Sequence, residues 1–231
     1  MRTLADVLFT QGFGSRRGVR RLVLEGAVSV AGVVSTDPEL ALETEGLVFG
    51  VKGEEFLFRD KVLVAMNKPA GFECSQKPSH HPSVFSLLPA YLVARGVQCV
   101  GRLDEDTTGL LLFTDDGALN HALSHPKRRV PKTYLAGLAH AVDEAFAARL
   151  QGGVLLHGED KPVRALGAER LSDKRVRIDL DSGSYHIVKR MIAAAGNRCV
   201  SLTRTAVGRL ELDENLAPGA WKYVSPDDIW A

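Results

Sequence analysis

The chain has 231 residues, 45% hydrophobic and 25% charged, an ordinary balance for a soluble protein with a sizeable core. No run is apolar enough to span a bilayer, and an acid at Asp6 interrupts the N-terminus where a signal peptide needs its apolar stretch, so no membrane role is expected. Cys74, Cys99 and Cys199 are widely spaced and form no C-x-x-C pair, which argues against a disulfide framework or zinc site and for reduced thiols in the cytoplasm.

The net charge of +1 conceals a partition. Residues 1–34 carry +3, residues 35–60 carry −5 and residues 61–231 carry +3. Two basic blocks around an acidic segment suggest a polyanionic partner met twice. In the first block, Leu4, Val7 and Leu8 have helical spacing, and Gly12-Phe13-Gly14 ends that helix. Ser15 is a candidate N-cap for a second helix, and Gly26 its stop. Ala27–Val30, Ala31-Gly32 and Val33-Val34 read as a hairpin.

In the second helix Val19, Leu22 and Val23 make the apolar stripe. Arg16, Arg17, Arg20 and Arg21 set like charges at i,i+4 twice, at a cost of roughly 0.2–0.5 kcal/mol per pair. A phosphate backbone would turn that cost into a gain; a solvated basic face is the other reading of the same cluster. Leu4-Ala5-Asp6-Val7-Leu8, Gly14-Ser15-Arg16-Arg17, Arg21-Leu22-Val23, Glu25-Gly26 and Val28-Ser29-Val30-Ala31-Gly32 together resemble the small RNA-binding domain first seen in ribosomal small-subunit protein four. We therefore expect an RNA-binding domain over 1–52, built of two helices and a hairpin. A linker is expected over 53–60 and a larger domain over 61–231.

From Val62 onward strand-like and helical patterns alternate. Val62–Met66, Leu110–Phe113, Thr133–Ala136 and Val176–Leu180 are predicted strands; Ala118–Ser124, Asp143–Leu150 and Tyr185–Ala195 are predicted helices. The class is α+β, with a mixed, largely antiparallel sheet in the larger domain.

The densest chemistry lies in Gly101-Arg102-Leu103-Asp104-Glu105-Asp106-Thr107-Thr108-Gly109, a polar loop running directly into the apolar Leu110–Phe113. Such a loop brings carboxylates to the mouth of a core, where one of them can serve as nucleophile or base. Asp104, Asp106, Thr108, Gly109 and Asp115 also have spacings reminiscent of a calcium loop. A strand within the repeat and the lack of flanking helices weigh against that reading. An acidic surface turn is the third possibility.

The full run G-R-L-D-x-x-T-x-G-L-L-L-x-T-x-D-G resembles the signature of the RsuA and RluA pseudouridine synthases, and further resemblances follow. Asn67-Lys68-Pro69-Ala70-Gly71 is similar to that family's N-K-P-x-G, and Lys132-Thr133-Tyr134 to its K-x-Y. Gly183–Met191 is similar to its G-x-x-x-Q-x-[KR]-R-M. The resemblance implies Asp104 as the catalytic residue, Tyr134 beneath the target uracil, and Lys189 as the cation paired with the carboxylate. It also implies RNA contacts from Arg102, Lys132, His186 and Arg190. Ile187 stands where the family has Gln, which puts one polar contact in doubt. The N-terminal domain, Arg190-Met191 and the ending Leu216–Tyr223 look most like the RsuA branch.

That branch implies isomerisation of a uridine in 16S ribosomal RNA, free or in a small-subunit assembly intermediate. The expected enzyme is cytoplasmic and monomeric and has neither cofactor nor metal, because isomerisation involves no redox change and no lost group. The target base must leave the stack to be reached. Alternatives are a sister enzyme acting on large-subunit RNA and a non-catalytic assembly protein.

Overall fold

The computed structural model describes residues 1–230. These divide into two compact units: residues 1–62 with 88–97, and residues 63–87 with 98–231. No helix among the described residues is long and apolar enough to cross a membrane.

The first unit opens with β1 (Arg2–Thr3), α1 (Leu4–Thr10) and α2 (Arg16–Leu24). Thr3 caps α1 by accepting from the Asp6 N–H, and Ser15 caps α2 by accepting from the Gly18 N–H, each using a donor the first turn leaves free. The strands are β2 (Val28–Val30), β3 (Val33–Val34), β4 (Ala41–Leu42), β5 (Val48–Val51) and β6 (Glu54–Leu57). Four of them form an antiparallel sheet in the order β3-β2-β5-β6, and β1 pairs with β4. Ala31 and Gly32, both at positive φ, make the two-residue hairpin turn. Leu4, Val7 and Leu8 bury against Val19, Val23, Val28 and Phe49, as the helical spacing predicts.

The segment read as a linker over 53–60 instead contains β6, which extends the sheet by pairing with β5. Residues 88–97, with α3 (Ala90–Ala94), join this unit as well. Tyr91 stacks on Phe13 and meets Phe56 edge to face. Buried Gln11 accepts from Arg95 and exchanges hydrogen bonds with the Arg59 backbone. None of this is periodic in sequence, which is why a linker was expected there.

The second unit contains β7 (Leu63–Lys68), β8 (Gln98–Val100), β9 (Thr108–Thr114), α4 (Gly117–Ser124), β10 (Lys132–Leu138) and α5 (Ala145–Gly152). It continues through β11 (Gly167–Ser172), β12 (Arg175–Leu180), α6 (Ile187–Ala194), β13 (Cys199–Val207), β14 (Leu210–Glu211), β15 (Trp221–Tyr223) and α7 (Asp227–Trp230). The sheet order is β11-β12-β10-β13-β9-β7-β15, with β14 on β13 and β8 on β9. Only the β13–β9 pair is parallel among the described residues, so the sheet is mixed and largely antiparallel. Each predicted strand and helix of this unit is present, with ends shifted by a few residues.

The joint between β9 and β13 positions the site. Gly109 lies opposite Arg204 at φ +98°, and a Cβ there would overlap the Arg204 carbonyl oxygen. Only glycine lets the two backbones approach so closely. The loop before β9 is thereby held against the middle of β13.

Candidate active site

The loop carrying Asp104 is clamped from beneath by a buried lysine. Lys68, at the end of β7, has no exposed surface. Its ammonium donates to the carbonyl oxygens of Pro69 at 3.0 Å, Glu105 at 3.0 Å and Thr107 at 2.9 Å. Three acceptors match the three donors of an ammonium. Burial pushes its pKa down, against the pull of Cys74, Glu105, Asp106 and Asp104. Gly71 N–H also donates to Glu105, and the Thr107 N–H closes a turn onto the Asp104 carbonyl. Sequence reasoning noted Lys68 only as part of a motif; its burial could be read only once β7 was known to be a central strand.

Held this way, Asp104 meets two nitrogen-bearing side chains at the start of α6, the Lys189 ammonium and the His186 imidazole. Its Oδ2 lies 3.0 Å from Lys189 Nζ, and its Oδ1 lies 3.1 Å from His186 Nε2. The Asp104 side chain is 28% exposed, so the carboxylate is sheltered but reachable. Lys189 also holds Asp106 at 2.6 Å. Burial pulls the Lys189 ammonium down, but its hydrogen bonds to Asp106 and Asp104 outweigh that and set its pKa above the usual lysine value.

His186 takes a left-handed conformation, φ 49°, immediately before α6, and Tyr185 stacks on its ring. This is an uncommon backbone for a non-glycine residue. It turns an imidazole expected among the RNA contacts toward the carboxylate.

A cavity of about 110 Å³ opens beside this group. Arg102, Asp104, Thr107, Lys132, Tyr134, His186, Ile187 and Arg204 all contribute to its wall. Tyr134 is buried on β10, directly across from Arg204 on β13. Lys132, at the start of β10, donates to the Val130 carbonyl. Burial, with the positive charge of Arg204, lowers its pKa to about 8. Ile187 contributes an apolar wall here, 6% exposed.

Of the residues singled out in the sequence, Asp104, Tyr134, Lys189, His186, Arg102 and Lys132 are therefore brought together. Arg190 is not: it turns away to the His157 carbonyl and Glu159. Arg16, Arg17, Arg20 and Arg21 belong to the other unit. Arg16 meets Asp6 and lies over the Phe9 ring, Arg20 meets Glu39, and Arg21 meets Glu25. The acids that meet these arginines thus lie outside α2 itself, and such exposed pairs are weak. Arg204 escaped sequence reasoning altogether, since a lone arginine in a strand of mixed polarity carries no signal.

Two cysteines that are far apart in sequence also converge. Cys74 and Cys99 hydrogen-bond through their side chains, and the Leu103 N–H donates to Cys74 at 3.5 Å. The Cys99 thiol and the Leu103 amide draw the Cys74 thiol below its usual range, against the effect of burial. Among the described residues no group of three or more His, Cys, Asp and Glu side chains gathers as a metal site would require.

Residues 62–194 match the family of RNA pseudouridylate synthases. The chain belongs to that family. Residues 2–48 match the S4 domain. An uncharacterised RNA pseudouridine synthase of Aquifex aeolicus is 36% identical over 93% of this chain and 89% of its own. A ribosomal small subunit pseudouridine synthase A of Haemophilus influenzae is 36% identical over 90% of this chain and 84% of its own. A crystal structure of a pseudouridylate synthase superposes with a TM-score of 0.69 at 32% identity, covering 99% of this chain and 98% of that one. The protein is thus a pseudouridine synthase with an N-terminal S4 domain and a catalytic domain built on a mixed, mostly antiparallel sheet.

Proposed function

We propose that this pseudouridine synthase acts in the cytoplasm on a uridine of 16S ribosomal RNA, with Asp104 as the catalytic carboxylate. The observation that carries the catalytic part is the placement of Asp104. It is sheltered at the rim of a cavity, held by Lys189 and His186, with Tyr134 in the wall. Support for the substrate comes from the Haemophilus influenzae relative, a small-subunit synthase alike over most of both chains.

The target uridine swings out of the stack so that its base enters the cavity, at a cost of a few kcal/mol that phosphate contacts offset. Tyr134 supports the base. Lys189 holds one oxygen of Asp104, and His186 orients the second. Arg102, exposed at the cavity mouth, lies where the vacated stack would be met, and Lys132 adds positive charge inside.

The test is conversion of transcribed RNA. The wild-type protein should convert a uridine in small-subunit ribosomal RNA and leave large-subunit RNA unchanged. Asp104→Asn should fold, bind the same RNA and release no tritium from C5-labelled uracil. Conversion of large-subunit RNA alone would move the substrate, and an active Asp104→Asn would remove the carboxylate from the chemistry.

A further inference from the structure

The cavity contains a cation that the arrangement around Asp104 leaves unused. Arg204 is 2% exposed and lies in the cavity wall, opposite Tyr134 across the β10–β13 ladder. Its Nε donates to the Leu110 carbonyl oxygen at 2.8 Å. Its Nη2 is buried with no hydrogen-bond partner, and no carboxylate lies within ion-pair distance of the guanidinium among the described residues. Thr107 Oγ1, in the same wall, is likewise buried and unpartnered. Buried polar groups in folded proteins are nearly always satisfied, and a buried charge more stringently still.

Anchoring a strand carbonyl needs only the Nε–H, so the remaining donors call for an acceptor that arrives with the substrate. Of the other charges in the wall, Arg102 is exposed at the mouth and the rest are committed. Asp104 is matched by Lys189 and His186, and the Lys132 ammonium is engaged by Val130. Arg204 therefore stands as surplus positive charge in a pocket shaped for a base.

We propose that Arg204 is a further catalytic residue, its guanidinium donating to a uracil carbonyl oxygen, with Thr107 Oγ1 available to the neighbouring imide N–H. This rests on the family's activity and on the cavity receiving the flipped base. In the isomerisation the C1′–N1 bond breaks and its electron pair stays with the base, spread from N1 onto O2 and O4. C5 then bonds to C1′, the C5 proton leaves, and N1 ends as N–H, so atoms and charge balance. The Arg204 N–H steadies the oxygen while it carries that charge, and the guanidinium itself neither gains nor loses a proton. A preorganised donor aimed at developing charge in a water-poor site is the arrangement that accelerates such a step.

The experiment compares Arg204→Gln and Arg204→Lys with wild type in single-turnover tritium release on the RNA the wild-type protein modifies. Failure of wild type on small-subunit RNA with success on large-subunit RNA would retire the proposed target, and the comparison would run on the latter. Arg204→Gln should slow the chemical step by about 100-fold or more, with RNA affinity held within about threefold of wild type. Arg204→Lys should recover part of the rate. A rate within threefold of wild type in Arg204→Gln overturns the proposal, as does a loss of affinity that accounts for the whole defect. If neither variant folds, a crystal structure of wild type on RNA carrying 2′-deoxyuridine at the target decides. A guanidinium nitrogen within hydrogen-bond distance of O2 or O4 supports the role; one remote from both ends it.

Discussion

Lys68 never meets solvent, yet it sets the height of the loop that carries Asp104. Replacing it with Met keeps the volume but leaves the Pro69, Glu105 and Thr107 carbonyls without their donor. Each unsatisfied buried acceptor is costly, and relief of the buried charge offsets part of the loss, so we expect about 2 kcal/mol of destabilisation. For a chain of this length that is a drop in Tm of roughly 4–8 °C. The turnover number should fall further than KM rises, because the loop then misplaces Asp104; a variant with unchanged turnover would remove Lys68 from the site's support. Lys132 gives a pH signature. Its folded pKa of about 8 lies below its unfolded value of 10.5, chiefly because of burial. Between those values the unfolded chain binds more protons, so stability rises with pH. Urea unfolding at pH 8, 9 and 10 should show wild type gaining on Lys132→Met. A constant difference across that window would mean Lys132 is not held below its ordinary value. Asp104 and Tyr134 stand out in the sequence through the motifs they belong to, and both line the cavity, whereas nothing along the chain marks the burial of Lys68 or Arg204. A buried charge looks like any other lysine or arginine until its neighbours are known.

At the scale of elements, the parallel contact of β9 and β13 is what joins the loop to the tyrosine strand. Gly109→Ala tests it directly. The backbone strain alone costs about 1–3 kcal/mol, and overlap with the Arg204 carbonyl adds to that. We expect thermal unfolding at a clearly lower temperature together with lost activity; an unperturbed Tm would show that the strands tolerate separation. Helix α6 makes a different point. Val188, Met191 and Ile192 bury as their spacing predicts, so the presence of the helix was legible in the sequence. The left-handed turn at His186 that precedes it was not, since nothing in Ser184-Tyr185-His186 demands it. That turn is nevertheless what brings the imidazole to Asp104. Strand β13 escaped prediction because its residues alternate irregularly between core, pocket and solvent.

For the whole molecule, charge is divided between two tasks. The arginines of α2 are exposed and only weakly paired, while Lys68, Lys132, Lys189 and Arg204 of the second unit are sheltered and committed to particular acceptors or to the cavity. Replacing Arg16, Arg17, Arg20 and Arg21 together with Gln should weaken RNA binding at low salt. It should also flatten the dependence of log Kd on log salt by roughly 0.9 for each phosphate contact removed. Turnover at saturating RNA should stay near wild type. Unchanged affinity across a salt titration would take α2 off the RNA.

Local pattern was sufficient for the S4-like helices and hairpin, the α+β class of the larger unit, and the loop that places an aspartate before an apolar strand. Periodicity, capping and turn chemistry act over a few residues, so they can be read along the chain. Tertiary structure alone decided that residues 54–57 and 88–97 complete the first unit, and that Cys74 meets Cys99. It also decided that His186 faces Asp104, Arg190 turns away, and Arg204 is left buried in the pocket with a donor to spare. Those outcomes depend on strand order and close backbone approach between residues up to about a hundred positions apart. Burial and pairing of a charge are properties of such long-range neighbours, which no short window of sequence contains.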